Sequence, residues 1–179
     1  MTDKKTVIMD SAAMGKTLSR LAHEIVERRG DEPGLAIVGI KTRGAYIAAR
    51  LADKVSELAG KKIERGYLGI TLYRDDLSQQ SEQPLMHSTE VDFDVQGRTI
   101  ILADDVLYTG RTVRCALDAL IDLGRPARIE LAVLVDRGHR ELPIRADYAG
   151  KNIPTAKSEL VRVRMKECDG ADEVVVERK

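Results

Sequence analysis

Residues 99–112 of this chain place two adjacent acids and a hydroxyl-rich turn between an apolar strand and a helix. The first part, residues 100–103, is an aliphatic run typical of a parallel strand that is covered on both faces. After the turn, aliphatic residues recur with helical spacing over residues 113–121, and a glycine and a proline end this pattern. The two acids are therefore predicted to follow the strand at its carboxyl end.

The residue types in this turn suit a phosphorylated sugar. Ligands of open α/β sheets bind outside the carboxyl ends of the strands, and the first turn of a helix offers N–H groups to an anion. Thr109, Gly110 and Thr112 fit a phosphate, because glycine allows close approach of the backbone and threonine adds a hydroxyl donor. Asp104 and Asp105 would repel the phosphate, so their expected partners are sugar hydroxyls or a hard cation such as Mg²⁺. The alternative is an acid pair that caps the helix or stays solvated.

Residues 104–112 resemble the phosphoribosyl pyrophosphate (PRPP) motif of type I phosphoribosyltransferases, with the sequence Asp-Asp-Val-Leu-Tyr-Thr-Gly-Arg-Thr. Within that superfamily this stretch is similar to the PyrR family, whose members attenuate the pyrimidine operon and have uracil phosphoribosyltransferase activity. Residues 38–44, 70–77 and 135–154 carry the same resemblance, which covers nearly the whole chain. It implies the type I phosphoribosyltransferase fold, an α/β domain with a largely parallel central sheet flanked by helices.

A second loop with suitable groups consists of Lys41, Thr42, Arg43 and Gly44, which follow another predicted strand. Its two cations, hydroxyl and exposed amides suit a pyrophosphate. The resemblance implies a pyrophosphate loop there, which in several relatives contains a non-proline cis peptide. It also places Arg137 beside the base, where the alternative is an arginine in a surface ion pair.

By the same resemblance, the residues of the motif bind the 5′-phosphate and ribose of PRPP or UMP: Asp104, Asp105, Val106, Leu107, Tyr108, Thr109, Gly110, Arg111 and Thr112. The candidate catalytic residues are Asp104 and Asp105, which accept hydrogen bonds from the ribose hydroxyls, and Arg74, which neutralises the leaving pyrophosphate. Arg74 lies in a long polar excursion, a hood or flap at about residues 70–95, that closes over the reaction. Mg²⁺ is expected to arrive with PRPP rather than on a protein metal site, and no enzyme nucleophile is expected.

The resemblance implies a second function, binding of the operon's leader RNA, which is tighter with UMP or UTP. The matching residues are on the first helix, Ser19, Arg20, His23 and Arg28, and in the tract after the base loop, Arg140, Arg145 and Lys151. The formal net charge is zero, but residues 137–166 contain eight Lys/Arg against three Asp/Glu, which allows a local basic face. Basic and hydroxyl groups suit the phosphates and 2′-hydroxyls of structured RNA. The alternative is an ordinary solvated helix face with scattered cations.

Two positions depart from the family motif. Residue 69 is glycine where an aspartate is expected, which bears on the geometry of the hood, and residue 16 is lysine where an arginine is common. Three hypotheses about function follow. The first is an RNA-binding attenuator that also makes UMP from uracil and PRPP. The second is a type I transferase for another base, such as a purine, and the third is a nucleotide-sensing regulator with weak catalysis.

Length and composition fit one domain, residues 1–179, with a mainly aliphatic core, since 43% of the residues are hydrophobic and 3% aromatic. No apolar run approaches the ~20 residues of a membrane span, and the first residues do not resemble a secretory leader, so a cytoplasmic protein is expected. The two cysteines form neither a disulfide framework nor a metal-binding spacing. Because relatives associate, a homo-oligomer is expected.

The rest of the chain is predicted to alternate strands and helices. A helix capped by Asp10 or Ser11 runs to about Arg29, and its apolar face consists of Met14, Leu18, Leu21, Ala22 and Ile25. Strands are expected at residues 7–9, 35–40, 67–72, 128–135, 160–166 and 173–177, and a further helix at residues 47–58.

Overall fold

A computed structural model describes residues 5–70 and 88–178. The elements of the described chain are β1 (Thr6–Met9), α1 (Ser11–Arg29), β2 (Ala36–Ile40), α2 (Arg43–Ala59), β3 (Glu64–Leu68), β4 (Thr99–Leu107), α3 (Arg111–Leu123), β5 (Arg128–Asp136), β6 (Tyr148–Asn152), β7 (Glu159–Arg164), α4 (Lys166–Asp169) and β8 (Glu173–Arg178). Five of the strands form a sheet in the order β3-β2-β4-β5-β6, and every neighbouring pair is parallel. The strand that carries the two acids, β4, is therefore the central one.

Three long helices cover the two faces of this sheet. Helices α1 and α2 pack on one face, against Ile101 and Ala103 of β4 among others, and α3 packs on the opposite face, against Ile100 and Leu102. Because successive side chains of a strand point to opposite faces, an aliphatic run such as that of β4 is buried on both. The predicted α/β fold with a largely parallel sheet is confirmed.

Helix α1 begins as the sequence predicts. Asp10 Oδ1 accepts a hydrogen bond from the backbone N–H of Ala13 at 2.8 Å, which satisfies one of the unpaired donors of the first turn. The helix ends at Arg29, and its buried residues are the predicted face, Met14, Leu18, Leu21, Ala22 and Ile25.

A second sheet of three antiparallel strands, in the order β1-β8-β7, joins the two ends of the described chain. The sequence predicts these strands but not their assembly into a separate sheet. Val161, Val163, Val174 and Val176 of this sheet belong to the same core cluster as α1 and α2. The small sheet is thereby fixed beside the carboxyl ends of the parallel strands.

Three boundaries differ from the predictions. β4 continues through the acids to Leu107, so the expectation that the acids follow the strand is wrong. β3 lies at Glu64–Leu68 rather than at residues 67–72, and β6 was not predicted. Residues 71–87, with Arg74 and most of the expected hood, lie outside the described residues. The segment that begins at residue 88 pairs with β3, since Tyr67 and Glu90 exchange two backbone hydrogen bonds of 2.8 and 2.7 Å.

No helix in residues 5–70 and 88–178 combines the length and the hydropathy needed to cross a membrane.

Arg50 ties α2 to the region around α4. Its guanidinium donates to both carboxylate oxygens of Glu167, at 2.9 and 2.7 Å, and to both of Asp172, at 3.0 and 2.8 Å. These hydrogen bonds lower the pKa of the Glu167 and Asp172 carboxyls below their ordinary values. The network links α2, whose first turn includes Arg43 and Gly44 of the pyrophosphate loop, to α4 and to Asp172, which precedes β8.

We expect Arg50→Gln to destabilise the protein by about 1 kcal/mol at pH 7, because two partly exposed and solvent-screened ion pairs are lost. Both carboxyls have a lower pKa in the folded chain than in the unfolded chain, so their contribution is present above the unfolded pKa. This contribution to the free energy of unfolding decreases once the pH falls below about 4, the pKa of the unfolded carboxyls. It disappears when the pH falls below their pKa in the folded chain. Urea unfolding at pH 7 and pH 3 measures this, and the difference between wild type and variant should shrink at pH 3. Arg65→Gln, which removes an exposed pair with Asp53, is the control, and an equal loss at both pH values would contradict the electrostatic explanation.

Candidate functional site

The two acids of the motif occupy different environments. Asp104 is buried, with 5% of its surface exposed, and its Oδ1 accepts a hydrogen bond from the N–H of Asp105 at 2.9 Å. Asp105 is half-buried, and it lines a cavity of about 530 Å³ together with Arg43 and Asp169. Both acids belong to a strand, where neighbouring side chains leave the backbone in different directions. The structure therefore presents Asp105 to the cavity and holds Asp104 in the interior.

The turn from β4 into α3, residues 107–112, is called the phosphate loop below. Gly110 immediately precedes the helix with φ of 92°, a left-handed conformation that favours glycine. The N–H of Arg111 donates to Thr109 Oγ1 at 3.3 Å. Residues 106–110 and Thr112 line a second cavity of about 190 Å³, next to the start of α3. N–H groups and the positive dipole end of a helix meet here, which suits an anion.

The segment that follows β5, residues 136–146, lies along the phosphate loop and is called the base-loop arm. The N–H of Arg137 donates to the carbonyl of Leu107 at 3.0 Å, and the N–H of Glu141 to that of Thr109 at 2.9 Å. Arg111 Nε adds a 2.8 Å hydrogen bond to the Glu141 carboxylate. The predicted base side and the predicted phosphate site are therefore adjacent parts of one site.

Arg137 is buried, with 5% of its surface exposed, so the alternative of a surface ion pair is wrong. Its Nη2 donates to the carbonyls of Ala156 at 3.2 Å and Glu159 at 2.9 Å. The guanidinium carbon lies 4.1 Å from the centroid of the Tyr108 ring, within the range of a cation–π interaction. Arg137 also lines the 190 Å³ cavity, where it connects the phosphate loop to the start of β7.

The pyrophosphate loop, residues 41–44, borders the 530 Å³ cavity through Arg43. Its Lys41–Thr42 peptide bond is cis, as the resemblance implied. Arg43 donates to the Asp169 carboxylate from Nε at 3.0 Å and from Nη2 at 2.8 Å. These hydrogen bonds hold the pKa of Asp169 well below its usual range. A Cβ on Gly44 would lie 2.8 Å from the carbonyl oxygen of Ala103, so glycine is what allows this loop to approach β4 so closely.

Asp169 is a site residue that sequence reasoning missed. It lies in α4, 126 positions from its partner Arg43, and no local pattern indicates that the two meet. The one feature of the sequence that could have indicated this residue is the pair of acids, Glu167 and Asp169, directly after a predicted strand with three bases and no acid, residues 160–166. Such a pair is usual on solvated surfaces, so the tertiary structure was needed to find it.

Of the seven candidate RNA-binding residues, four lie on α1 (Ser19, Arg20, His23 and Arg28) and Lys151 lies on β6. Ser19 Oγ faces α2, since it accepts a hydrogen bond from Lys54 Nζ at 2.9 Å, whereas Arg20 and Arg28 reach the region of β6. Arg20 Nη2 donates to the carbonyl of Gly150 at 2.5 Å, and Arg28 Nη1 to that of Asp147 at 3.3 Å. Arg145 is exposed in the base-loop arm. Arg140 differs from the rest, because its guanidinium donates to the carbonyl of Tyr108 in the phosphate loop at 2.8 Å. Arg140 therefore does not lie apart from the predicted nucleotide site, and its assignment to RNA binding stays a prediction.

Comparison with known proteins agrees with this geometry. Residues 6–167 match the model of the phosphoribosyl transferase domain family. The chain is 61% identical over 172 residues to the bifunctional protein PyrR of Deinococcus radiodurans, covering 96% of this chain and 94% of that protein. It is 59% identical over 170 residues to the bifunctional protein PyrR of Elusimicrobium minutum, covering 95% of each.

Solved structures agree on the fold. A hypoxanthine phosphoribosyltransferase from Staphylococcus aureus has a TM-score of 0.71 at 18% identity, covering 97% of this chain and 92% of that one. The hypoxanthine phosphoribosyl transferase of Trypanosoma cruzi has a TM-score of 0.74 at 17% identity, covering 99% of this chain and 93% of that one. At such identities the likeness concerns the fold alone, whereas the sequence matches concern the family. The chain belongs to the phosphoribosyl transferase domain family and, within it, to the bifunctional PyrR proteins.

Proposed function

We propose that this protein transfers the phosphoribosyl group of PRPP to uracil, which yields UMP and diphosphate, and that it also binds the leader RNA of the pyrimidine operon in response to UMP or UTP. The observation that carries the catalytic part is the position of Asp105 and Arg43 on one cavity, beside the phosphate loop, in a chain 61% identical to a protein named bifunctional PyrR. The proposal includes one functional unit over residues 1–179, self-association, and a cytoplasmic location, where leader RNA is made.

In this proposal the phosphate loop and the start of α3 bind the 5′-phosphate, and the Asp105 carboxylate accepts hydrogen bonds from the ribose hydroxyls. Asp104 is buried and stabilises the carboxyl end of β4 by accepting the hydrogen bond from the N–H of Asp105. Arg43 borders the cavity proposed for the diphosphate, and Arg74, outside the described residues, is a further candidate for this charge. Lys41, also predicted for the diphosphate, pairs with Glu90 and lines a neighbouring cavity. The bond from uracil N1 to C1′ forms as the bond from C1′ to the diphosphate oxygen breaks, and the proton of uracil N1 is released to solvent with the diphosphate. The protein contributes orientation and electrostatic stabilisation, and exclusion of water protects the cationic C1′ from hydrolysis.

Mg²⁺ fits the oxygen chemistry of the larger cavity. The carboxylates of Asp105 and Asp169 both line it, and hard cations prefer carboxylate and phosphate oxygens. Within the described ranges, no group of three or more His, Cys, Asp or Glu residues could hold a metal ion, so the diphosphate would supply most of the ligands. A bound Mg²⁺ would stabilise the negative charge of the departing diphosphate.

Purified protein mixed with PRPP and either uracil or hypoxanthine tests the catalytic proposal. We expect diphosphate release and UMP formation with uracil. Turnover of hypoxanthine but not of uracil would contradict the choice of base. UMP-stimulated RNA binding without diphosphate release would instead support a regulator with weak catalysis, the hypothesis that Gly69 keeps open.

The RNA-binding part is supported by Arg20 and Arg28 of α1, whose contacts with the carbonyls of Gly150 and Asp147 bring two basic side chains beside β6, the strand that contains Lys151. Such groups contact phosphates and 2′-hydroxyls of structured RNA. These contacts weaken as the salt concentration rises, because the release of counterions from the RNA then gains less free energy. A filter-binding titration of the operon leader RNA, at several salt concentrations and with or without UMP, tests it. We expect tighter binding with UMP, and the reverse complement of the leader serves as the control RNA. Equal binding of both RNAs would contradict the proposal.

A further inference from the structure

Arg43 of the pyrophosphate loop is held by an acid from a distant part of the chain. Its guanidinium donates to both carboxylate oxygens of Asp169, from Nε at 3.0 Å and from Nη2 at 2.8 Å. These two contacts use two of the five N–H groups of a guanidinium. Among residues 5–70 and 88–178 the guanidinium has no other hydrogen-bond partner. Asp169 therefore fixes one edge of the guanidinium, and the remaining N–H groups can donate to a ligand.

Asp169 is itself fixed by the backbone around α4. Its Oδ2 accepts hydrogen bonds from the N–H of Met165 at 2.9 Å and from the thiol of Cys168 at 3.2 Å. Met165 is fully buried, so the first of these donors is part of the packed interior. The Arg50 network joins α4 to α2, and α2 is the helix that begins at Arg43. The acid and the arginine thus lie on two elements that a second set of ion pairs links.

The pair borders the same cavity as the acid of the motif. Arg43, Asp105 and Asp169 all line the cavity of about 530 Å³. The pKa of the Arg43 guanidinium is raised, chiefly by the hydrogen bonds to Asp169 and to a smaller extent by the Asp105 carboxylate. The ribose hydroxyls proposed to bind Asp105 adjoin C1′, the carbon that carries the diphosphate of PRPP. A guanidinium beside Asp105 is therefore placed to meet that diphosphate.

The charge of Asp169 by itself opposes the binding of an anion. The Arg43 guanidinium holds the pKa of the Asp169 carboxyl well below its usual range, so the acid is negative at neutral pH. A negative charge on the cavity wall repels a diphosphate. Orientation acts in the opposite direction. The side chain of Arg43 is 38% exposed, and without its partner it would lose rotamer freedom whenever it bound a ligand.

We propose that Asp169 is a positioning residue that holds Arg43 in the orientation in which it binds the diphosphate of PRPP. The inference rests on the proposed function and adds to it a residue that acts through Arg43 and does not touch the substrate. UMP has the same ribose and 5′-phosphate as PRPP but no diphosphate. Asp169 therefore contributes to the use of PRPP and not to the binding of UMP.

Kinetics and UMP binding of Asp169→Asn in the full chain test this role. We expect kcat/KM for PRPP to fall about tenfold and the Kd for UMP to stay within about twofold, because asparagine offers one acceptor where the guanidinium needs two. Asp169→Glu keeps both acceptors and should recover part of the loss. A rise in kcat/KM, which relief of charge repulsion predicts, would overturn the proposal. Equal losses of PRPP use and UMP binding, which a damaged fold would cause, would overturn it as well.

Glu177→Gln is the matched control for charge. Glu177 lines the same cavity, but its carboxylate accepts from Arg162 Nε at 2.7 Å and not from Arg43. The substitution removes the same charge from the same cavity, and kcat/KM for PRPP should stay within about twofold. A loss equal to that of Asp169→Asn would show that the charge of the cavity matters and the orientation of Arg43 does not, which would overturn the proposal.

A double-mutant cycle decides whether Asp169 acts through Arg43. In an Arg43→Ala background, Asp169→Asn should change kcat/KM for PRPP less than about twofold, because the side chain that it orients is already absent. Independent roles would give the same loss in both backgrounds. Direct binding of Mg²⁺ by the Asp169 carboxylate is one such independent role. Additive losses would therefore overturn the positioning role.

Binding of inorganic diphosphate with Mg²⁺, measured by calorimetry without base or RNA, separates this inference from the proposed function. Asp169→Asn should raise the diphosphate Kd about fivefold, and less than about twofold in the Arg43→Ala background. If wild type made no UMP from uracil and PRPP, the proposed function would fail, and the diphosphate measurements would still decide the role of Asp169. Equal Kd values for wild type and Asp169→Asn, or no diphosphate binding by wild type, would overturn it.

Discussion

Replacement of Asp105 by asparagine is expected to lower kcat/KM for PRPP about tenfold or more. The amide oxygen can still accept the 2.8 Å hydrogen bond from the N–H of Val106, so the substitution removes the charge while keeping the shape. Loss of a charge-assisted acceptor for a ribose hydroxyl costs roughly 1.5–3 kcal/mol, or about 10- to 150-fold in kcat/KM. Steady-state kinetics with uracil and PRPP measure the effect.

The matched control is Asp118→Asn, on the surface of α3. Asp118 is 52% exposed and pairs with Arg114 at 2.8 Å, so the same chemical change there should leave kcat/KM within about twofold. The urea midpoints of both variants should stay near that of wild type. Unchanged kinetics for Asp105→Asn would contradict the assignment of this carboxylate to the ribose.

Gly39→Ala is expected to destabilise the protein by about 3 kcal/mol or to prevent folding. A Cβ at this position would lie 2.4 Å from the carbonyl oxygen of Gly44, 2.6 Å from Ala45 Cα and 2.7 Å from Ala48 Cβ. None of these atoms belongs to a flexible side chain, so α2 must move away from β2 and take the pyrophosphate loop with it. Overpacking of this kind typically costs about 1–3 kcal/mol and sometimes more. Urea unfolding measures the loss, and any folded variant should show a raised KM for PRPP.

Gly15→Ala is the control for this substitution. Gly15 lies inside α1, and a Cβ there would have no heavy atom within 4 Å. The same added methyl group should therefore stabilise the protein by about 0.5–1 kcal/mol, because alanine favours helix more than glycine does. Similar effects of the two substitutions would show that the close approach of α2 to β2 does not restrict position 39.

The elements with a strong local pattern could be predicted. The aliphatic runs of β2, β4 and β5 are buried on both faces of a parallel sheet, and such runs are visible without knowledge of their neighbours. Helix α1 was found from Asp10 and its apolar spacing because capping and periodicity depend on residues within a few positions.

β6 could not be predicted because its sequence, Tyr-Ala-Gly-Lys-Asn, contains no aliphatic run or alternation. It is a strand because β5 offers it a parallel edge, with Ala132 paired to Tyr148 and Val135 to Lys151. The separate β1-β8-β7 sheet has a similar origin. Its register, with Val7 opposite Val175, joins residues from the two ends of the chain, and no local pattern encodes that pairing.

The sequence by itself determined the chemical types at the site and their location at the carboxyl ends of the central and neighbouring strands, because those depend on local motifs and on the edge where parallel strands end. Only the tertiary structure decided which groups face the cavity. It turned Asp105 toward the cavity and Asp104 inward, brought Asp169 to Arg43, buried Arg137, and brought Arg140 into contact with the carbonyl of Tyr108. These outcomes depend on which distant backbone and side-chain acceptors meet each charged group once the chain has packed, and a linear motif carries no information about those partners.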